Sequence, residues 1–334
     1  MSNSHRHGFN TVYNSQLPRR ERRGFQKRIA IAAGCVILAL MLVLSLILAI
    51  QHFVTSTPPP PTDSNESDSS APSTNEAVVQ YENASVTVAD TQMGSLLLVN
   101  ANNHYTVPAT TAHLSDISST MSSVGGFTNA GISTKMETNA VNALARMLSD
   151  HHSANISVTI MVRYAYPTEA ATSTDDELYT GLMTELRINA DANGRSNQPL
   201  NFDATTEAWF KGNAHKYGFV LRYPSDKSEQ TGVPAGSMVD YFRYVGVAHA
   251  TYMYQNNLCL EEYIALLKDQ HTATSPLTVT GADGNRYEIF YVAVTDDNAT
   301  VPCPVNYAYT LSGTNENGMV VTVNRSQPSS ASAT

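Results

Sequence analysis

The side chains able to do chemistry in this chain are few, so their spacing matters more than their number. The 334 residues include ten histidines and three cysteines, with no Cys-x-x-Cys pair or His/Cys cluster of the kind that holds a structural zinc. His215 falls beside Lys216 in a helical pattern and reads as a surface or half-buried residue. His249 sits in Val-Gly-Val-Ala-His-Ala, and His151-His152 look like a solvated helix end. Cys35 lies in an apolar run, which leaves Cys259 and Cys303 either to form one bridge in an oxidising compartment or to remain two buried thiols. The acids and bases are more promising. Leu186 and Ile188 alternate with Glu185 and Arg187, so a strand here would carry both charged side chains on one face. Arg163 closes another alternating run, where it could pair with a surface acid.

These residues need elements to hold them. Ile156, Val158, Ile160 and Val162 alternate as a strand does, and Thr138 to Asp150 places Val141, Leu144, Ala145 and Leu148 at helical spacing. Phe210, Ala214 and Tyr217 fit a helix stopped at Gly218, and Leu260, Ile264 and Leu267 fit another. The apolar run Gly94 to Asn100 suits a buried strand. Beyond Ser275, Asp283-Gly284 and Asn317-Gly318 each separate two β-rich runs, the signature of hairpins. Strands followed by separate helices predict an α+β fold.

The N-terminal region has a different character. An uncharged run from Ile29 to Ile50 would span about 33 Å as a helix, enough to cross a bilayer core of roughly 30 Å. Basic residues crowd its N-terminal flank and none follows until Lys135, which predicts a cytoplasmic N-terminus and an extracellular remainder. The Pro-, Ser- and Thr-rich stretch after it reads as a stalk. The net charge of −9 conceals a basic start and an acidic remainder, and an acidic ectodomain argues against a nucleic-acid partner. The expected organisation is a basic cytoplasmic tail (1–28), a transmembrane helix in the lipid bilayer (29–50), a disordered stalk (51–76), a main domain (77–274), a C-terminal β-hairpin appendage (275–325) and a disordered tail (326–334).

One stretch carries a resemblance. Asp-Asp-Glu-Leu-Tyr-Thr-Gly-Leu-Met-Thr-Glu ends at Glu185, Asn213 to Pro224 reads Asn-Ala-His-Lys-Tyr-Gly-Phe-Val-Leu-Arg-Tyr-Pro, and Tyr241 to Gly246 reads Tyr-Phe-Arg-Tyr-Val-Gly. Together they resemble the VanY-like D-alanyl-D-alanine carboxypeptidases, LAS-type zinc peptidases. In that family a zinc ion is held by His and Asp of Ser-x-His-x-x-Gly-x-Ala-x-Asp and by the His of Glu-Pro-Trp-His-Phe-Arg-Tyr-Val-Gly, whose Glu is the base. Catalytic zinc needs three protein ligands and an open position for water.

Aligning Thr180-Gly181-Leu182 and Phe242-Arg243-Tyr244-Val245-Gly246 on these motifs puts Leu178 and Tyr241 at the His positions. Glu185 then falls at the Asp position and Met238 at the base. The resemblance therefore implies a LAS/DD-peptidase-like domain of antiparallel sheet and flanking helices that has lost its zinc ligands, so no cofactor is expected. It also implies Arg163 as the grip for a substrate's terminal carboxylate, and Arg222 and Arg243 as framework ion-pair residues. The expected function is a membrane-anchored extracellular pseudopeptidase that binds peptidoglycan stem peptide or another cell-envelope protein. Its competitors are an active D,D-carboxypeptidase using Glu185, Asp240 and a displaced His, and an interaction module whose cleft is filled by Leu178, Met183, Met238 and Tyr241.

Overall fold

Alternating strands, one long amphipathic helix and two hairpins account for most of the computed structural model, which describes residues 78–329 apart from 132, 156, 170–175, 192–193, 195 and 201–204. The expected tail 1–28, membrane helix 29–50 and stalk lie outside the described residues. Among the described residues no helix is long and apolar enough to cross a membrane.

In chain order the strands are β1 (Tyr81–Val86), β2 (Leu114–Asp116), β3 (Phe127–Asn129), β4 (Lys135–Glu137), β5 (Thr159–Tyr164), β6 (Met183–Ala190), β7 (Gln198–Pro199), β8 (Phe219–Leu221) and β9 (Tyr241–Tyr244). They continue with β10 (Leu277–Thr280), β11 (Arg286–Ala293), β12 (Ala299–Pro304), β13 (Tyr307–Gly313) and β14 (Gly318–Pro328). The longer helices are α1 (Thr138–Ala154), α2 (Thr205–Asn213), α3 (Val247–Gln255) and α4 (Leu260–Gln270).

The central sheet runs β3-β5-β6-β9-β8, with β7 beside β6. It is mixed rather than antiparallel as expected, because β3 pairs with β5 in parallel while the other pairings are antiparallel. The apolar stripe of α1, with Val141, Leu144, Met147 and Leu148, packs with Ile160, Val162, Leu186, Ile188, Phe219 and Phe242 of the sheet. The charged residues of β5 and β6 are thereby left on the opposite face. Helix α2 gives way to a tight turn over Ala214–Tyr217 and ends at Gly218 with φ +85°. A Cβ at Gly218 would lie 2.8 Å from the Tyr244 ring and 3.0 Å from the Gly246 backbone, so this stop is steric as well as conformational.

The two C-terminal hairpins join through β11 and β14 into one sheet of order β10-β11-β14-β13. Ile289, Tyr291 and Val320 face α3 and α4, while Phe290, Val321 and Val323 face β1 and β12. A sheet buried on both faces explains the nearly continuous apolar runs there. This sheet therefore shares a core with the helices that follow β9. Its last strand also runs past residue 325, where order was expected to end, since Tyr307 still pairs with Pro328.

Leu96–Val99 is buried, as expected, but is not a strand. Its polar backbone groups are met singly: Leu96 N–H by Ser312 Oγ, Leu98 N–H by the Thr314 carbonyl, and the Leu97 carbonyl by Arg243 Nη2. Buried backbone needs partners but not a ladder.

Candidate functional site

Three adjacent strands carry the charged cluster that the sequence singled out. Across the sheet Glu185 of β6 stands opposite Tyr164 of β5 on one side and Tyr241 of β9 on the other. The β5–β6 register shifts between Val162 and Tyr164, leaving Arg163 as the extra residue of a bulge. A bulge re-aims the side chain it carries. Arg163 Nη1 reaches both Glu185 carboxylate oxygens, at 3.0 and 3.1 Å, and its guanidinium lies 4.5 Å over the Tyr164 ring.

Arg187 follows Glu185 by two residues on β6 and so shares its face. Its Nε is 3.7 Å from Glu185 Oε1 and 3.7 Å from Asp240 Oδ2. Among the described residues neither Arg187 Nε nor Asp240 Oδ2 has a hydrogen-bond partner, although both atoms are buried. Burial, and then the Glu185 charge, raise the Asp240 carboxyl above its ordinary value. Burial followed by Glu185 and Asp240 hold the Tyr241 phenol well above its ordinary range, so it stays protonated.

The remaining expected positions are arranged differently. Leu178 is half-buried in the turn Glu177–Thr180, with its N–H donating to Asp176 Oδ1. Met238 has a left-handed backbone (φ 51°) and is 37% exposed, so it does not fill the cleft as the interaction-module reading required. Met183 is buried in β6. The bridge between Cys259 and Cys303 is not formed: both are buried free thiols. Cys259 precedes α4, and Cys303 lies on β12 in the core between β12 and the C-terminal sheet, so the residues belong to different parts of the interior. His215 and His249 lie outside the cleft. His249 is fully enclosed between the Tyr263 hydroxyl (2.8 Å) and Thr322 Oγ1 (3.0 Å), and burial lowers its pKa to about 3. Among the described residues no group of three His, Cys, Asp or Glu is placed to hold a metal.

Arg222 and Arg243 meet the framework expectation, around an acid that motif reasoning passed over. Glu177 takes Arg222 Nε at 2.6 Å and Arg243 Nε at 2.5 Å, and Arg222 also makes a two-point bridge to Glu261. The signal was available, since Glu177 lies inside the first motif, but nothing in one sequence says which acid two distant arginines share.

A mixed sheet covered on one face by α1, with a charged cleft on the other, is the LAS/VanY-like architecture. The D,D-dipeptidase VanXYg, solved in complex with a D-Ala-D-Ala phosphinate analog, superposes with a TM-score of 0.56 at 25% identity, covering 73% of this chain and 99% of that one. A D-alanyl-D-alanine carboxypeptidase of Enterococcus faecium is 44% identical over 115 residues, 34% of this chain and 35% of the relative. The bifunctional D-Ala-D-Ala dipeptidase and D-Ala-D-Ala carboxypeptidase VanXYC of Enterococcus gallinarum is 39% identical over 61 residues, 18% of this chain and 31% of the relative. The chain thus spans about a third of the length of these two curated relatives. No protein-family model matches. The chain is thus similar to VanY/VanX-like D-Ala-D-Ala carboxypeptidases both in stretches of sequence and in fold.

Proposed function

We propose that this chain is a carboxypeptidase-like protein of the cell envelope, anchored by residues 29–50 with its folded part outside the cell, that binds peptidoglycan stem peptide without hydrolysing it. The observation that carries this reading is the engagement of both Glu185 oxygens by Arg163.

The zinc of the family does not fit the residues present. In the family register the three ligand positions hold Leu178, Glu185 and Tyr241, and the base position holds Met238. Leucine has no donor atom, the Tyr241 phenol is kept protonated, and the Glu185 charge is already matched by a guanidinium. Losing a positioned base alone costs about 10²–10⁴-fold in rate. No hydrolytic step is derived for this site.

Binding is a different matter. Arg163 uses one nitrogen for Glu185, which leaves Nε and Nη2 for an incoming carboxylate, and its side chain is 29% exposed. Arg is suited to that grip because its donors form a rigid fork. Beside it, Arg187 Nε and Asp240 Oδ2 lie 3.7 Å apart, buried and without hydrogen-bond partners among the described residues. VanXYg, the solved relative, holds a D-Ala-D-Ala analog.

Calorimetric titration of the full chain with a peptide ending in D-Ala-D-Ala, in the presence of a chelator, tests the reading. Saturable binding is expected, with Arg163→Ala weakening it by about 10–100-fold, the worth of a charge-assisted hydrogen-bond pair. Binding that requires added zinc, or that Arg163→Ala leaves unchanged, would overturn it.

A further inference from the structure

The C-terminal sheet ends at β13 on one side, and the ladder to β14 settles which backbone groups of that strand face outward. Thr314 N–H donates to the Gly318 carbonyl at 3.0 Å, and the pairing runs on from there through Ser312–Val320 and Thr310–Thr322. In antiparallel pairing alternate residues turn their N–H and C=O toward the partner. Thr310 and Ser312 therefore face β14, and the N–H and C=O of Tyr309 and Leu311 face away from it. Among the described residues no hydrogen bond outside the strand ladders meets those outward groups.

The open stretch is bounded at both ends. Gly313 N–H, the next outward donor, is taken by the Met93 carbonyl at 2.7 Å, and the register breaks between Tyr307 and Ala308. What remains is Tyr309-Thr310-Leu311, centred on Thr310. This run is accessible: Tyr309 is 40% exposed, Thr310 is exposed and Leu311 is half-buried. Met93, at the closed end, is 55% exposed.

Edge strands are commonly protected by charge or proline. The strand Tyr307–Gly313 has neither. The other edge of the same sheet, β10, differs: it follows Pro276, its exposed side chains are Thr278 and Thr280, and none of the exposed large apolar residues lies on it.

We propose that β13 pairs with β13 of a second copy of this chain, antiparallel about a two-fold axis through Thr310. The open run is its own complement. With Thr310 opposite its counterpart, Tyr309 of each copy stands opposite Leu311 of the other, and every outward N–H and C=O of the run finds a partner. The Tyr309 ring then lies beside Leu311 of the other copy, a cross-strand apolar pair of the kind that stabilises sheets. The two four-stranded sheets become one continuous sheet. A two-fold contact closes on itself, whereas β13 laid on β10 of the next copy would build an open-ended chain of molecules. None of these residues belongs to the charged cluster of β5, β6 and β9, so this inference is independent of the function proposed above.

Disulfide cross-linking of the full chain reads the contact. In a non-hydrogen-bonded antiparallel pair the opposed Cα atoms are about 4.5 Å apart, within the roughly 4.4–6.8 Å that a disulfide spans. Thr310 and its counterpart form such a pair. In a Cys35→Ser background, mild oxidation should convert most of a Thr310→Cys chain to a dimer on a non-reducing gel, while Thr278→Cys on β10 and the parent stay monomeric. Adding Tyr309→Lys, at an exposed position and checked for folding by circular dichroism, should lower the dimer fraction several-fold. Three results would each overturn the proposal: cross-linking of Thr310→Cys no greater than that of Thr278→Cys, a dimer insensitive to Tyr309→Lys, or more dimer from mixed Thr310→Cys and Thr278→Cys chains than from Thr310→Cys alone. The last would place β13 against β10 instead.

Discussion

Two groups of arginines and carboxylates sit on this sheet, and they are built differently. Around Glu177 the arginine links are short: 2.6 Å to Arg222, 2.5 Å to Arg243, and two bonds from Arg222 to Glu261, with both guanidiniums essentially inaccessible. Arg243 completes itself on the carbonyls of Tyr244 and Leu97. Around Glu185 only Arg163 is at hydrogen-bonding distance; Arg187 stands off at 3.7 Å from both acids and two buried polar atoms are unpartnered. A buried charge group is tolerated when every donor and acceptor is met. The first group meets that condition and ties β8, β9, α4 and the Leu96–Val99 segment together. The second does not meet it among the described residues, since Arg187 Nε and Asp240 Oδ2 lack partners.

The comparison can be broken at its strong end first. Glu177→Gln leaves the buried Arg243 without a carboxylate and Arg222 with Glu261 alone, and should cost about 3–5 kcal/mol of stability, read by chemical denaturation. A loss comparable to a surface pair would mean that the framework is not one. Next, His249→Ala removes both bonds that join α3 to Tyr263 and to Thr322 of β14, and should cost about 1–3 kcal/mol.

The same histidine gives a pH signature. Its folded pKa is depressed from 6.5 to about 3, so the unfolded chain takes up its proton first. Stability should fall as pH drops from 6.5 toward 3, and the fall should be shallower in a His249→Asn variant. At the weak end, Glu185→Gln should cost only about 1 kcal/mol, because Arg163 can turn to water. Asp240→Asn should have the smallest effect and the opposite sign. Burial raises the Asp240 pKa, so its ionisation lowers stability as pH rises through that value, and the variant should be slightly more stable at neutral pH with no gain in acid. A clear loss at neutral pH would show that Asp240 and Arg187 are a working pair despite their distance.

What was legible in the sequence follows the range of the interactions involved. Hairpins at Asp283-Gly284 and Asn317-Gly318 and the helix stop at Gly218 were readable because turn chemistry is local. The faces of β6 were readable because alternation is local too, and it puts Glu185 and Arg187 on one side of the strand. The likeness to VanY-like peptidases was readable from the Tyr-Gly-Phe-Val-Leu-Arg-Tyr-Pro and Phe-Arg-Tyr-Val-Gly runs. The parallel β3–β5 pair, three residues long on the β3 side, was not, since so short a strand carries no period. Nor was the pairing of Arg163 with Glu185, which depends on a bulge in one strand and the register of its neighbour. Cys259 and Cys303 left two readings open, a bridge or two buried thiols, because spacing along the chain says nothing of distance in space; the structure has them as buried free thiols.

The function proposed above has the Arg163–Glu185 pair standing where the VanY-like peptidases hold their metal. The most direct measurement is D-alanine release from a muropeptide ending in D-Ala-D-Ala, using the full chain with added zinc beside a chelated control. The account predicts no release in either sample, with the peptide still bound; zinc-dependent release would contradict it.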